Sequence, residues 1–290
     1  MSFPVKRTSR RLFTAFVLFA LLDGIIWYVI SISSDSSFLE LYFLNIGQGD
    51  SELIRFPGGV DLLIDGGPPN GKVLEELSRI LPAGDTYLDL VMMSHPQLDH
   101  FGGLIDVLKK YDVGLFLGSG RAGETAAYDD LVRVLEERNV NYLALQEGDV
   151  ILRGDDAISI LSPNKRNLAS KELNDTSVVA MLAEEDFRAL YTGDIGFKIE
   201  DELARSYDLR ADVLKVPHHG SKYSSGTKFL EAIQPQIAVA EVGKNTYGHP
   251  TREALGRLED AGAAVFRTDH DGTVLVEVDQ GKFSVFRSTR

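Results

Sequence analysis

The apolar residues of this chain fall into two regimes. From Leu12 to Ile32 they form one run of 21 residues, broken by Asp23 and Gly24. A helix of roughly 20 residues crosses a bilayer core. A mid-span carboxylate costs about 2.5–3.5 kcal/mol on the insertion scale, less than the Leu, Ile, Phe and Val residues of such a run return together. Lys6, Arg7, Arg10 and Arg11 precede the run, and basic flanks stay on the cytoplasmic side. The pattern predicts a basic cytoplasmic tail over 1–11, a transmembrane anchor helix over 12–32, a linker over 33–37 and an outward-facing body over 38–290. A cleaved signal peptide fits less well, because its apolar stretch is usually about 7–15 residues.

Beyond residue 37 the pattern changes to short strands alternating with amphipathic helices. Phe38–Asn45, Ser51–Phe56 and Val60–Asp65 read as strands separated by glycine turns. Lys72–Ile80, Leu104–Tyr111 and Tyr128–Arg138 carry helical spacing, with apolar strands at Leu88–Ser94 and Gly114–Leu117 between them. Strands follow at Ala157–Leu161, Val178–Ala183 and Arg188–Thr192. The last third runs strand, helix, strand, helix, strand and closes in a hairpin turned at Asp279–Lys282. Early and late hairpins with helices between them predict a single α/β domain of four layers, two mixed sheets covered by helices on both outer faces.

Composition narrows the chemistry. Of 290 residues none is cysteine, which removes disulfides, thiol nucleophiles and cysteine metal sites. The net charge is −13, so the body has no long-range attraction for nucleic acid or an anionic membrane. Four of the six histidines stand beside carboxylates just after apolar strands. They lie in Ser94-His95-Pro96-Gln97-Leu98-Asp99-His100 and in Pro217-His218-His219-Gly220-Ser221, with Thr192-Gly193-Asp194 between them in the chain. Neutral imidazole and carboxylate are the ligands of zinc, manganese or iron. No dinucleotide fingerprint is present, and no aromatic platform for unpaired bases is visible in the sequence.

The segment His95-Pro96-Gln97-Leu98-Asp99-His100 resembles the H-x-H-x-D-H signature of the metallo-β-lactamase fold, and Thr192-Gly193-Asp194 resembles its later bridging aspartate. Asn45-Ile46-Gly47-Gln48-Gly49-Asp50, Leu63-Ile64-Asp65-Gly66-Gly67, Lys215–Ser221, Tyr247-Gly248-His249-Pro250 and Thr268–Gly272 follow in the order of one branch. That branch is the extracellular C-terminal domain of the competence protein ComEC, a DNA-uptake channel. The resemblance implies one or two divalent ions, Mn or Zn. One would be held by His95, residue 97 and Asp194. The other would be held by Asp99, His100, Asp194 and a histidine of the His218-His219 pair, with His218 preferred. Gln97 departs from the pattern, which has histidine there, and a glutamine amide is a weaker, harder ligand. No counterpart of the family's intervening metal histidine is visible; Asn174-Asp175-Thr176-Ser177 occupies a comparable stretch.

Asp99 is the candidate acceptor for a water proton, and His249 the candidate acid or phosphate donor. Lys215, Lys222 and Lys244, with Ser221, are candidates for substrate phosphates. Asp50 is a candidate brace for a ligand histidine or a turn residue, and His270 a turn residue. Three functions fit: an anchored phosphodiesterase or nuclease acting on DNA during uptake, with a channel protein as partner; a hydrolase of small phosphoesters of the phosphorylcholine or teichoic-acid type; or a non-catalytic DNA-binding or scaffold domain in which Gln97 marks a degenerate site.

Overall fold

The computed structural model describes residues 6–33 and 37–288. Among them fifteen strands build two sheets of eight and seven. The first six, β1 (Leu39–Phe43), β2 (Glu52–Phe56), β3 (Val60–Ile64), β4 (Tyr87–Met93), β5 (Asp112–Gly118) and β6 (Tyr142–Ala144), lie side by side in chain order. The next seven form the second sheet, also in sequence: β7 (Val150–Arg153), β8 (Asp156–Ser162), β9 (Val179–Glu184), β10 (Phe187–Tyr191), β11 (Val213–Lys215), β12 (Ile237–Ala240) and β13 (Ala264–Arg267). The closing hairpin, β14 (Val274–Asp279) and β15 (Lys282–Arg287), returns to the first sheet beside β1.

Side-chain alternation explains the layering. On β3, Leu62 and Ile64 enter the core between the sheets while Leu63 faces the helices outside. On β4, Met92 and Val91 divide in the same way. Strands buried on both faces read as continuous apolar runs, as β12 does; β2 and β11 are also buried along their whole length but carry Glu52, Arg55 and Lys215. Helices Lys72–Ile80, Leu104–Lys110 and Ala126–Glu137 cover the first sheet through Val73, Leu77, Leu104, Val107, Leu131 and Val134. Helices Phe197–Ser206, Thr227–Ile233 and Arg252–Asp260 cover the second through Ile199, Leu203, Phe229, Leu230 and Leu258. The four-layer expectation holds.

Three body elements carry too little pattern to be read in advance. Strands β6 and β7 are short and largely exposed. Helix Phe197–Ser206 buries only Ile199, Glu200 and Leu203, a narrow stripe for period analysis.

The anchor stands differently. A single helix runs from Lys6 to Ser33, and its described side chains, from Leu12 to Tyr28, are exposed. Among the described residues no helix is long and apolar enough to cross a membrane. The side chains of the basic tail, of residues 29–33 and of linker residues 34–36 lie outside the described residues.

Parallel pairing places the site. β3, β4 and β5 run parallel in one sheet, and β10, β11, β12 and β13 in the other. The C-terminal ends of each parallel set therefore open at one edge, where α/β sheets present ligand-binding loops.

Candidate metal centre

Each chemical segment leaves the end of such a strand. Beyond β4, Ser94 donates from its backbone N–H to Asp65 Oδ1 at 2.8 Å and from its hydroxyl to Asp65 Oδ2. Asp65 itself follows β3 with φ of 53°. The short helix Leu98–Phe101 then carries Asp99 and His100. It can approach β3 only because glycines meet there: a Cβ on Gly103 would lie 2.0 Å from the carbonyl oxygen of Gly66. After β11, His218 and His219 both occupy the left-handed region, with φ of 50° and 53°. Such backbone costs a non-glycine residue about 1–3 kcal/mol and persists where surrounding structure enforces it, often at functional sites.

Outer partners aim the imidazoles. His100 Nδ1 lies 2.8 Å from Asp65 Oδ2, which turns Nε2 toward Asp194 Oδ2 at 3.3 Å. His219 Nδ1 lies 2.9 Å from the Glu241 carbonyl and 3.0 Å from Asp50 Oδ1. Its Nε2 then sits 3.5 Å from Asp194 Oδ2 and 3.6 Å from Asp99 Oδ2. His95 Nδ1 contacts the Ser94 hydroxyl at 3.0 Å. A ring N–H held this way fixes the tautomer and leaves the other nitrogen free as a ligand.

The free atoms converge. Nε2 of His95, His100 and His219 and Oδ1 of Asp194 are buried without a hydrogen-bond partner. Ligand atoms of His95, His100 and Asp194 lie within 4.8 Å of one another, as do those of Asp99, His100 and His219. Leaving buried polar atoms unpaired costs about 1–3 kcal/mol each, so the arrangement is expensive unless something occupies its centre. The donor set suits a divalent cation, which when bound supplies Lewis acidity and neutralises the carboxylates.

The electrostatics of the metal-free cluster divide the three histidines. Burial and the neighbouring His100 push His95 down to about 4, leaving it neutral as a ligand must be. Burial opposes a proton on His100 and His219, but Asp194 and Asp50 outweigh it, raising His100 well above an ordinary imidazole and His219 to about 10. Asp99 is brought down to about 2 against its burial by His219 and His100.

The other candidates divide. Gln97 donates its amide to Asn174 Oδ1, and Asn174 Nδ2 lies 3.3 Å from His218 Nδ1. An amide pair therefore stands beside the imidazole cluster. Of the two adjacent histidines, His219 holds the buried position, while His218 is one-third exposed with Nε2 3.8 Å from Asp194 Oδ2. That geometry runs against the preference for His218. His249 lines the same cavity with its Nδ1 buried and unpartnered, and burial with His218 lowers it to about 4.

Lys215 is a correction. It is fully buried, paired with Asp50 and 3.1 Å from the Gly193 carbonyl, so it reaches no substrate phosphate. A lysine on a strand walled by Val213, Leu214 and Val216 has no route to solvent. Ser221 is likewise buried and accepts from the Tyr223 N–H. Lys222 and Lys244 remain exposed, and His270 is exposed on the turn Thr268–Asp271, outside the cavity lining. Two partners escaped sequence reading: Asp65, which orients His100, and the Glu241 carbonyl, which orients His219. The strand-end position of Asp65, shared with Ser94 and Thr192, was the available signal.

The model of the metallo-β-lactamase superfamily matches residues 44–243. The chain belongs to that superfamily. It is 32% identical over 268 residues to the ComE operon protein 3 of Bacillus subtilis, covering 85% of this chain and 34% of that protein. It is 31% identical over 242 residues to the competence protein ComA of Neisseria gonorrhoeae, covering 81% of this chain and 32% of that one. The chain thus spans about a third of the length of these curated relatives. Among solved structures, the metallo-β-lactamase fold protein YhfI from Bacillus subtilis superposes with a TM-score of 0.58 at 14% identity, covering 83% of this chain and all of that one, a likeness of fold.

Metal titration of Gln97→His tests the amide pair. The expected result is tighter zinc binding and a changed order of ion preference, because imidazole is the softer donor. An unchanged titration removes residue 97 from the ligand set.

Proposed function

We propose that the chain is a membrane-anchored, outward-facing, metal-dependent phosphodiesterase that cuts DNA during competence-type uptake, beside a channel protein. The observation that carries it is the opening of the imidazole–carboxylate cluster into a cavity of about 800 Å³, lined by Asp99, Asp194, His218, His219 and His249. The Neisseria gonorrhoeae relative is named a competence protein, which supports the substrate, and Lys6, Arg7, Arg10 and Arg11 ahead of the apolar run support the anchor and its orientation.

In this reading His95, His100 and Asp194 would hold one divalent ion, and His219 and Asp99, which group with His100, would complete the site or hold a second. Asp99, ionised and about one-third exposed, accepts the proton of the attacking water. His249, neutral at physiological pH, faces the cavity as a hydrogen-bond partner for phosphate oxygens. Asp65, Asp50 and Lys215 act behind the ligands and touch no substrate.

Glu172 and Asp175 also line the cavity, Asp175 paired with Lys198, and the carboxylate of Glu172 favours the second reading, a small phosphoester, since it repels a polyanion. Digestion of plasmid, single-stranded DNA, bis-p-nitrophenyl phosphate and phosphorylcholine esters by the detergent-purified chain, with Mn²⁺, Mg²⁺ or Zn²⁺, separates the two. DNA cleavage is expected, and His95→Ala is expected to reduce it by more than the ~10–100-fold that loss of an outer partner costs. Cleavage of small esters alone selects the second reading, and no cleavage with any ion sinks both.

A further inference from the structure

We infer that Tyr223 and Tyr247 form a stacking subsite for unpaired nucleobases beside the metal centre. The inference rests on the phosphodiesterase reading and adds what the active site grips besides phosphate. Both residues line the cavity that holds His218 and His219, and they are 64% and 73% exposed.

Neither tyrosine is exposed because its loop is loose. Tyr247 lies in a turn closed by Asn245, whose amide donates to the carbonyls of Gly243 at 2.9 Å and His249 at 2.7 Å. The same side chain accepts from the Gly248 and His249 N–H groups. Tyr223 donates its N–H to Ser221 Oγ, and its carbonyl accepts from Phe197 N–H at 3.0 Å. Each ring is also backed on one side. Lys222 Nζ stands 4.9 Å from the Tyr223 ring centre, and the His249 ring 5.9 Å from that of Tyr247 at an interplanar angle of 32°. Each ring thus keeps a contact surface in water, on a fixed backbone, at the rim of the reaction cavity. Burial of these rings contributes little to the fold, and rigid aromatics are efficient contact surfaces because few rotamers are lost on binding.

Charge explains why stacking is needed. The chain carries −13 overall, and Glu172 and Asp175 line the same cavity. Few phosphates can be neutralised, so backbone attraction contributes little. Base–aromatic stacking contributes about five- to a hundredfold in affinity per base without needing positive charge. A quaternary ammonium is the competing occupant of exposed tyrosines, but Lys222 already places a cation on Tyr223. Only unpaired bases present a free face to such rings.

The test uses the full chain in detergent with Mn²⁺ and fluorescein-labelled phosphorothioate hexamers, which resist cleavage, read by anisotropy. Oligo(dT) is expected to bind at least about tenfold tighter than an abasic hexamer of equal charge. Tyr223→Ala and Tyr247→Ala should each remove most of that difference, and Tyr247→Phe should retain it. Because no lysine or arginine is among the described residues that line the cavity, the salt slope for oligo(dT) should be shallow, no steeper than about −1.4. Equal binding of the two hexamers overturns the subsite and leaves the phosphodiesterase reading standing. Failure of both to bind overturns the subsite and DNA as substrate together. Displacement of oligo(dT) by phosphorylcholine but not by thymidine assigns the rings to a quaternary ammonium and overturns the inference.

Discussion

Replacing Asp194 by asparagine is expected to lower divalent-ion affinity by more than the ~10–100-fold cost of an outer-partner mutation and to bring hydrolysis to background. Asp194 is the carboxylate toward which the free nitrogens of His100, His218 and His219 are all directed, at 3.3, 3.8 and 3.5 Å. Burial alone would favour its neutral form, but His219 and His100 hold it well below the carboxylate range. The reverse influence gives the pH dependence. His219 without metal is raised to about 10, so its proton contributes stability that is complete below the ordinary histidine value and lost as pH rises through about 10. A metal must displace that proton. Wild-type affinity should therefore climb between pH 7 and 9, and calorimetry should record proton release. In Asp194→Asn the imidazole loses its main attraction and titrates lower, so the pH dependence shifts to lower pH while affinity stays weak. A wild-type affinity that is flat from pH 7 to 9 counts against His219 as a ligand.

The parts legible in the sequence are those written locally. Leu62, Leu63 and Ile64 announce a strand buried on both faces because burial on each side of a sheet requires apolar residues at consecutive positions. Histidines and carboxylates directly after such strands announce a site because strand ends are where parallel sheets open. What the sequence conceals depends on partners far along the chain. Asp65 and His100 are 35 residues apart, and the Glu241 carbonyl and His219 are 22 apart; no periodicity encodes either contact. The choice between His218 and His219 turns on two left-handed residues in succession, and residue type does not specify that backbone. Tyr223 and Tyr247 acquire their shared cavity through the meeting of loops after β11 and β12. Lys215 was legible in principle. A cation between Leu214 and Val216, on a strand otherwise apolar, belongs to the interior and calls for a buried anion.

That buried cation carries the second large effect. Lys215→Met is expected to destabilise the metal-free protein by about 3–5 kcal/mol, the usual consequence of breaking one side of a buried ion pair. Burial opposes the charge on Lys215, yet Asp50, Asp194, Glu52 and Glu241 together hold it above the ordinary lysine range. Removing it leaves Asp50 and Asp194 facing one another across the site with less compensation, and Asp50 is the group that braces His219 Nδ1 at 3.0 Å. Methionine is close to lysine in length, so packing around Val213 and Val216 is preserved and the loss is mainly electrostatic. At about 2–4 °C per kcal/mol for domains of this size, the melting temperature should fall by roughly 6–20 °C. Divalent metal should recover part of the loss by neutralising Asp194, and Asp50→Asn in the Lys215→Met background should recover more. These two residues are in contact, so their effects should be far from additive. A metal-free melting temperature equal to wild type, or strictly additive single and double variants, would show that the buried Asp50 is held by His219 and His100 rather than by Lys215.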